Sequence, residues 1–597
     1  MFELFKNFSL DDVKLTDSYC AHRRELVKRY VKDFDIDRLM HTFLINAGLP
    51  SDAEPLGGWE AVECGLRGHF VGHYLSACAR FAYADQDGCL KGKAYEIIET
   101  MEACAKPNGY LSAFEEDKLD TLELEENRLV WAPYYTLHKI LQGLIDCHQF
   151  LGNEKALTLA MKLAYYIHGR FEKLSFWQID GILRCTKVNP ANEFGGIGDA
   201  LYTLYDITRD AKVLALAQQF DRGYFLDPLA AGKDVLDDLH ANTHLPMVLA
   251  AMHRYNITGE QHYKSAAEHF YHFVKGRTFA NGNNSSKATA FAKGGVSERS
   301  EHWGGYGRLE EALTGGESES CCAHNTEKIV ERMLEWSGSI ECLDHLEQLK
   351  YNAILNSASH TTGLSQYHQP MGSGAVKRFS GLYDTFWCCT ASGMEAMSEL
   401  QKNIWLRSGD RLLLNAFISS TVFWNEKKVT IAQHTRFPDG LTSTLTIRTA
   451  EPTAFTLMLK QKAVRTVAIN GAPIPWERTD GYILIERMFN DQDKIEITID
   501  ARLQMIPLQG SDRLAAMMFG PVLLAQLGPH KPLKELTSSS INDRFVRLAT
   551  DRLEFVLQDA EGKPVSFIPL FRVEEEEYTV YLDLQGDSNS QEWFTYA

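Results

Sequence analysis

The hydrophobic pattern of the chain changes once. Up to about residue 400, apolar residues recur at the spacing of one helix face; after residue 403 they alternate with polar ones, as in half-buried strands. In the first part a helix is expected from Ser18 to Ala47, ended by Gly48 and Pro50. After the loop Gly57-Gly58-Trp59-Glu60, apolar residues at 70, 71, 74, 75, 78, 81 and 82 predict a helix whose His69 and His73 share a face. From there a unit repeats: helix, short polar turn, helix. The turns are 84–88, 151–154, 208–210, 258–260 and 337–339. They lie roughly 50 to 65 residues apart, except for a last gap of about 80, and such a period means stacked supersecondary units. About six hairpins fit between residues 15 and 400, and each must bury its apolar face on its neighbours. The expectation is an (α/α)6 barrel.

The second part holds strand candidates such as Lys428-Val429-Thr430-Ile431, Ser443 to Arg448 and Lys494 to Ile499, with turn residues between them. They read as an antiparallel sandwich ending near Pro507. Further strands follow, including Gly520 to Ala525 and Tyr578 to Leu582, and an acidic run at 574–577 reads as solvated surface. The fold class is therefore α+β and multidomain: an (α/α)6 barrel over 1–403, a jelly-roll-like β-sandwich over 404–507 and a second β-rich domain over 508–597.

Composition narrows the function. A formal charge of −18 disfavours nucleic acid and anionic membrane as partners, since both need a basic face. The start, MFELFKNFSLDDVKL, has no basic segment followed by an apolar run, and no stretch approaches the roughly 18 apolar residues of a membrane span. A cytoplasmic location is expected. Of the 12 cysteines, Cys78, Cys104 and Cys147 sit inside helical patterns and read as buried free thiols.

Chemistry concentrates between residues 301 and 389. Glu319-Ser320-Cys321-Cys322 and Trp387-Cys388-Cys389 supply carboxylate and thiolate donors of the kind zinc prefers, drawn from distant segments, and Glu301 precedes them. Three readings stand side by side: a closed structural zinc site, simple buried thiols, or a catalytic thiolate working with Glu301 as acid and base. The last requires Glu301 to start protonated, with its pKa raised by apolar surroundings that Trp303 and Trp387 would provide. Polar residues also recur before helices, in Pro133 to His138, Pro190 to Gly196 and Leu239 to His244, and in a ring these starts would line one cleft.

The motifs Arg67-Gly68-His69-Phe70-Val71-Gly72-His73-Tyr74, Pro133 to Lys139, Glu193-Phe194-Gly195-Gly196, His240 to Thr243, Ser300 to Trp303, Glu319-Ser320-Cys321 and Phe386 to Thr390 resemble those of glycoside hydrolase family 127, the β-L-arabinofuranosidases and their close relatives. The resemblance spans residues 60 to 400, with β domains following in the family's order. It implies Zn2+ held by Glu319, Cys321, Cys388 and Cys389, with Cys388 as nucleophile and Glu301 as general acid/base. It implies sugar contacts from His138, Glu193, His240 and Tyr367, and as substrate a short oligosaccharide ending in β-L-arabinofuranose. A homodimer is compatible with it. Two features depart from the family pattern: Cys322, where relatives carry a small non-thiol residue, and Glu298, a rival for the acid role. Other uses of such a ring are sugar epimerisation, uronyl hydrolysis, cleavage of another rare sugar, or carbohydrate binding without turnover.

Overall fold

The computed structural model describes residues 5–124, 130–185, 193–284, 301–313, 315–529, 531, 536, 541–559 and 561–584. Glu298, and Pro190 to Asn192 of the second polar helix start, lie outside the described residues.

Twelve helices close a double ring. Six form its inner wall: α2 (His69–Asp85), α4 (Pro133–Leu151), α6 (Ile197–Thr208), α8 (Ala241–Thr258), α10 (Ser320–Ser337) and α12 (Cys388–Ser398). Each packs on the next, and α12 returns to α2. Six surround it: α1 (Cys20–Asp33), α3 (Gly88–Cys104), α5 (Glu154–Phe171), α7 (Ala211–Gln219), α9 (Gln261–Lys275) and α11 (Ile340–Leu349). Five hairpins run inner to outer along the chain; the sixth pairs α12 with α1 from the opposite end of the domain.

The hairpins share a local code. Each of the five inner helices that opens a hairpin ends on a left-handed residue: Gln86, Gly152, Arg209, Gly259 and Gly338. The next residue caps the outer helix, and the side chains of Asp87, Asn153, Asp210 and Ser339 accept from its free N–H groups. The inner helices are buried nearly all round, as with α2 from His69 to Ala82, whereas α9 buries one face. The backbones of α2 and α4 approach closely at Gly72 and Gly143. A Cβ on Gly72 would lie 1.9 Å from the Lys139 carbonyl oxygen.

The expected first helix is two, α1 and Ile36–Asn46, because the chain extends at Phe34 and Asp35 caps a new start by accepting from the N–H groups of Asp37 and Arg38. Two short strands precede it. Lys6–Asn7 pairs with Trp405–Ser408, and Val13–Leu15 with Ser420–Trp424, so the N-terminus joins the sandwich sheets. The sandwich has a six-stranded and a seven-stranded sheet. It is not wholly antiparallel: Arg411–Leu414 runs parallel to Thr453–Lys460. It also ends earlier than Pro507, because Leu503–Pro507 pairs with Leu514–Phe519 in a third, eight-stranded sheet. That third sheet grips the ring. Ala375 and Tyr578 exchange backbone hydrogen bonds of 2.8 Å, and Met371 accepts from Tyr581. The acidic run is only partly surface: Glu574 accepts hydrogen bonds from Ser359, Thr361 and the His360 N–H, while Glu575 to Glu577 are exposed.

Candidate active site

The connections from outer to inner helices are long and all emerge at the end where the inner helices begin. Charged and polar residues at those six starts therefore face a common mouth. Glu319 caps α10 without spending its carboxylate on the helix, and Cys321 lies in the first turn. Cys388 and Cys389 open α12. Two helix N-termini thus aim their positive ends at the thiols, a setting that favours thiolate. Strained backbone surrounds them. Glu301, Ser318, Phe386 and Ala132 all have positive φ, between 41° and 68°, a conformation that side-chain-bearing residues keep only where packing enforces it. Phe386, for one, is wedged against Phe70 with ring centroids 4.7 Å apart.

One ligand atom from each of Glu319, Cys321, Cys388 and Cys389 lies within 4.8 Å of all the others, and all four residues are buried. Among the described residues this is the one group of His, Cys, Asp or Glu side chains arranged to hold a metal ion. Glu319 Oε1 lies 3.6 Å from both the Cys388 and Cys389 sulfurs, which are 3.9 Å apart; Cys321 and Cys389 are separated by 3.2 Å. Tetrahedral zinc would space sulfurs by about 3.8 Å, and sulfur from oxygen by about 3.5 Å. Glu319, Cys388 and Cys389 match that spacing, the Cys321–Cys389 contact is shorter than it, and the cysteines are free thiols rather than disulfides. Burial, then the charges of Glu301 and Cys388, push the Glu319 carboxyl well up. Hydrogen bonding to Cys321 and burial do the same to Cys388. Cys321 is held down to about 7; burial opposes this, and hydrogen bonds from Cys388, Cys389 and Ser392 outweigh it. Four acidic groups sharing one buried space need a cation to ionise together. Cys389 is sealed at 0% exposure, whereas Cys388 keeps a 6% exposed edge.

Glu301 stands across the mouth. Its Oε2 accepts from His240 Nε2 at 2.8 Å, and His368 lies 3.9 Å from its Oε1. The expectation of a raised pKa fails here. Burial does push Glu301 up, but the hydrogen bond and charge of His240, the charge of His368 and a bond from Tyr367 hold it down to about 2. Burial lowers His240 while Glu301 and Glu193 lift it to about 9. The tryptophans do not supply an apolar wall. Trp303 donates to Asn284 and packs on His244 and Phe270, and Trp387 packs on Tyr367.

The other sugar-contact candidates gather at the same mouth. His138, driven well down by burial, accepts from the Gly196 N–H at 3.1 Å through Nδ1. That bond puts its own proton on Nε2. Glu193 is half-buried, and its charge reaches His240 and Glu319. Tyr367 packs against the thiol cluster. By contrast, His69 and His73 serve packing. His69 bonds the Leu66 and Phe386 carbonyls, and His73 bonds Glu395 inside the ring. Cys322 approaches Glu319 Oε2 at 3.4 Å, outside the four-donor set. Tyr135, which the Pro133 to His138 helix start places at the cleft, is buried in the same cluster as the thiols; sequence patterns gave no hint of Ser392, 3.0 Å from the Cys321 sulfur, or of Trp59 and Trp131 packed on that cluster. Their signal is tertiary: each is an ordinary helix or loop residue until the ring closes.

Residues 12–402 match a family model described as the β-L-arabinofuranosidase GH127 catalytic domain, and residues 411–501 match its GH127 middle domain. Among solved structures, a GH127 β-L-arabinofuranosidase from Geobacillus stearothermophilus T6 aligns at 18% identity and TM-score 0.70, over 96% of this chain and 99% of that one. The GH127 β-arabinofuranosidase BT3674 aligns at 18% identity and TM-score 0.73, over 97% and 98%. At this identity the likeness speaks for the fold. A comparison with curated proteins finds no match.

Proposed function

The chain belongs to glycoside hydrolase family 127, and from that premise we propose that it releases terminal β-L-arabinofuranose from short oligosaccharides with retention of configuration. The observation that carries this reading is the buried Glu319–Cys321–Cys388–Cys389 cluster beside the Glu301–His240 pair. We assign zinc to the cluster, on its thiolate-rich set of four buried donors and on the spacing of Glu319, Cys388 and Cys389. When bound, zinc supplies the positive charge that keeps these thiols deprotonated.

The chain's own residues do the rest. His138, Glu193, His240 and Tyr367 orient the furanose by its hydroxyls. The Cys388 sulfur attacks the anomeric carbon while the bond to the leaving oxygen breaks and Glu301 gives that oxygen a proton. In the free protein this proton rests on His240, and it reaches Glu301 along their 2.8 Å hydrogen bond. Glu301 then takes a proton from water, the water oxygen attacks the anomeric carbon, and the carbon–sulfur bond breaks. Two displacements at one carbon give retention. A neutral sugar suits a chain with a net charge of −18. Among the described residues no helix is long and apolar enough to cross a membrane, and we place the reaction in the cytoplasm, on imported oligosaccharides.

Reduced, zinc-loaded protein is expected to release p-nitrophenol from p-nitrophenyl β-L-arabinofuranoside, and chelation or thiol alkylation is expected to stop the release. Absence of release from protein carrying one zinc per chain would rule out this sugar.

A further inference from the structure

The six helix starts around the mouth fall into two sectors. Passing α6 and α8 the residues are polar: Glu193, His240 and Glu301, with His138 from α4. Passing α12 and α2 to the start of α4 they are aromatic. Trp387 meets Tyr367 at a centroid distance of 5.8 Å, Tyr367 meets Trp59 at 6.2 Å, and Trp59 meets Trp131 at 5.1 Å. The four rings make a continuous arc, none of them fully buried. Trp59, Trp131 and Tyr367 pack against the small cluster that Leu66, Ala132 and Tyr135 form with Cys321, Cys388 and Cys389.

The arc is rigid. The Trp59 N–H donates to the Thr385 carbonyl at 3.0 Å, and the Gly57 N–H to that of Tyr383 at 2.9 Å. Both acceptors lie just ahead of Cys388. Gly58 permits this docking, since its φ is +55° and a Cβ there would sit 2.2 Å from the Thr385 oxygen. Trp131 rests on Gly65, where a Cβ would come within 3.2 Å. Aromatic surface held in place yet left partly open to water is costly unless something covers it. Fixed rings of this kind take ligands at little ordering cost.

Resting on the glycosidase reading above, we propose that Trp387, Trp59 and Trp131 form the subsite for the leaving group, a saccharide ring that stacks its apolar C–H face on the arc, with Tyr367 at the boundary, its hydroxyl serving the furanose and its ring completing the arc. The polar sector holds the furanose that is attacked, because its hydroxyls need hydrogen-bonding partners. The arc begins near the acid, since Tyr367 packs on His368 with ring centroids 4.6 Å apart and His368 lies 3.9 Å from Glu301, which protonates the departing oxygen. It then leads away through Trp59 to Trp131. The enzyme therefore distinguishes substrates by the sugar beyond the cleaved bond, and not only by the terminal unit.

The test compares kcat/KM of wild type, Trp59→Ala, Trp131→Ala and Trp59→Phe on two substrates: a disaccharide with terminal β-L-arabinofuranose and methyl β-L-arabinofuranoside, which has no second ring. Both alanine variants are expected to lose about tenfold more on the disaccharide than on the methyl glycoside, the size of a lost stacking contact. Trp59→Phe is expected to recover most of that difference. Equal losses on both substrates, or no loss on either, would overturn the subsite while leaving the hydrolase standing. Wild type that cleaves neither substrate would overturn the hydrolase reading, and the subsite with it.

Discussion

Replacing Cys388 with serine is expected to cut turnover about ten-thousandfold or more, even on an activated aryl glycoside. The change swaps one atom of similar size at a buried helix start, so the ring should fold as before. What is lost is the nucleophile. A serine hydroxyl in the same place stays protonated, whereas the thiol sits at the N-termini of α10 and α12, 3.6 Å from Glu319 and 3.9 Å from Cys389, where it ionises once a cation is shared. The neighbouring thiols do not substitute. Cys389 is fully sealed, and Cys321 is buried against Cys389 at 3.2 Å. Initial rates together with thermal melts followed by circular dichroism check both halves. A folded Cys388→Ser protein with near-normal rates would remove Cys388 from the mechanism.

Glu301→Gln is expected to lower kcat/KM on natural disaccharides by a hundred- to ten-thousandfold while lowering kcat/KM far less on p-nitrophenyl substrates, whose leaving group departs without a proton; kcat falls on both, because the second displacement also loses its base. Losses in kcat/KM of equal size on both would contradict an acid role. The pH dependence carries the same signature. His240, lifted to about 9, holds the transferable proton below that pH, and Glu301, held down to about 2, remains its partner. For wild type on disaccharides, kcat/KM is expected to fall as pH rises through about 9; Glu301→Gln should lose that alkaline limb. The pair also stabilises the fold within a window. The contribution of His240 is fully present below its ordinary pKa of about 6.5 and is lost as pH rises through about 9. That of Glu301 is fully present above about 4.5 and is lost as pH falls through about 2.

Much of this architecture is legible in the sequence because local rules carry it. The five hairpin turns announce themselves, since a left-handed residue followed by Asp, Asn, Glu or Ser is a code read within two residues. The change of hydrophobic period at residue 403 likewise follows from backbone geometry. The acid–thiol cluster was legible because metal donors are few in kind and these lie in tight pairs. What escaped depends on distant segments. The strands Lys6–Asn7 and Val13–Leu15 are too short to show a period and exist only because the sandwich offers them edges. The charge state of Glu301 was misjudged because its partner, His240, lies 61 positions away, whereas Trp303, two residues along the chain, turns its ring into the wall. The sequence singled out Trp387 and Tyr367 separately, but not their union with Trp59 and Trp131 into one arc, since its members come from three separate connections.

The most direct test of the central claim is to react Glu301→Gln protein with p-nitrophenyl β-L-arabinofuranoside, quench, and map the digested protein by mass spectrometry. The substitution leaves the first displacement usable for an activated leaving group and starves the second of its base, so the intermediate should accumulate. A single pentosyl unit on the peptide containing Cys388, absent from Glu301→Gln/Cys388→Ser protein, is the predicted result. Turnover with no adduct on Cys388, or an adduct on a different side chain, would contradict a thiolate nucleophile at this position.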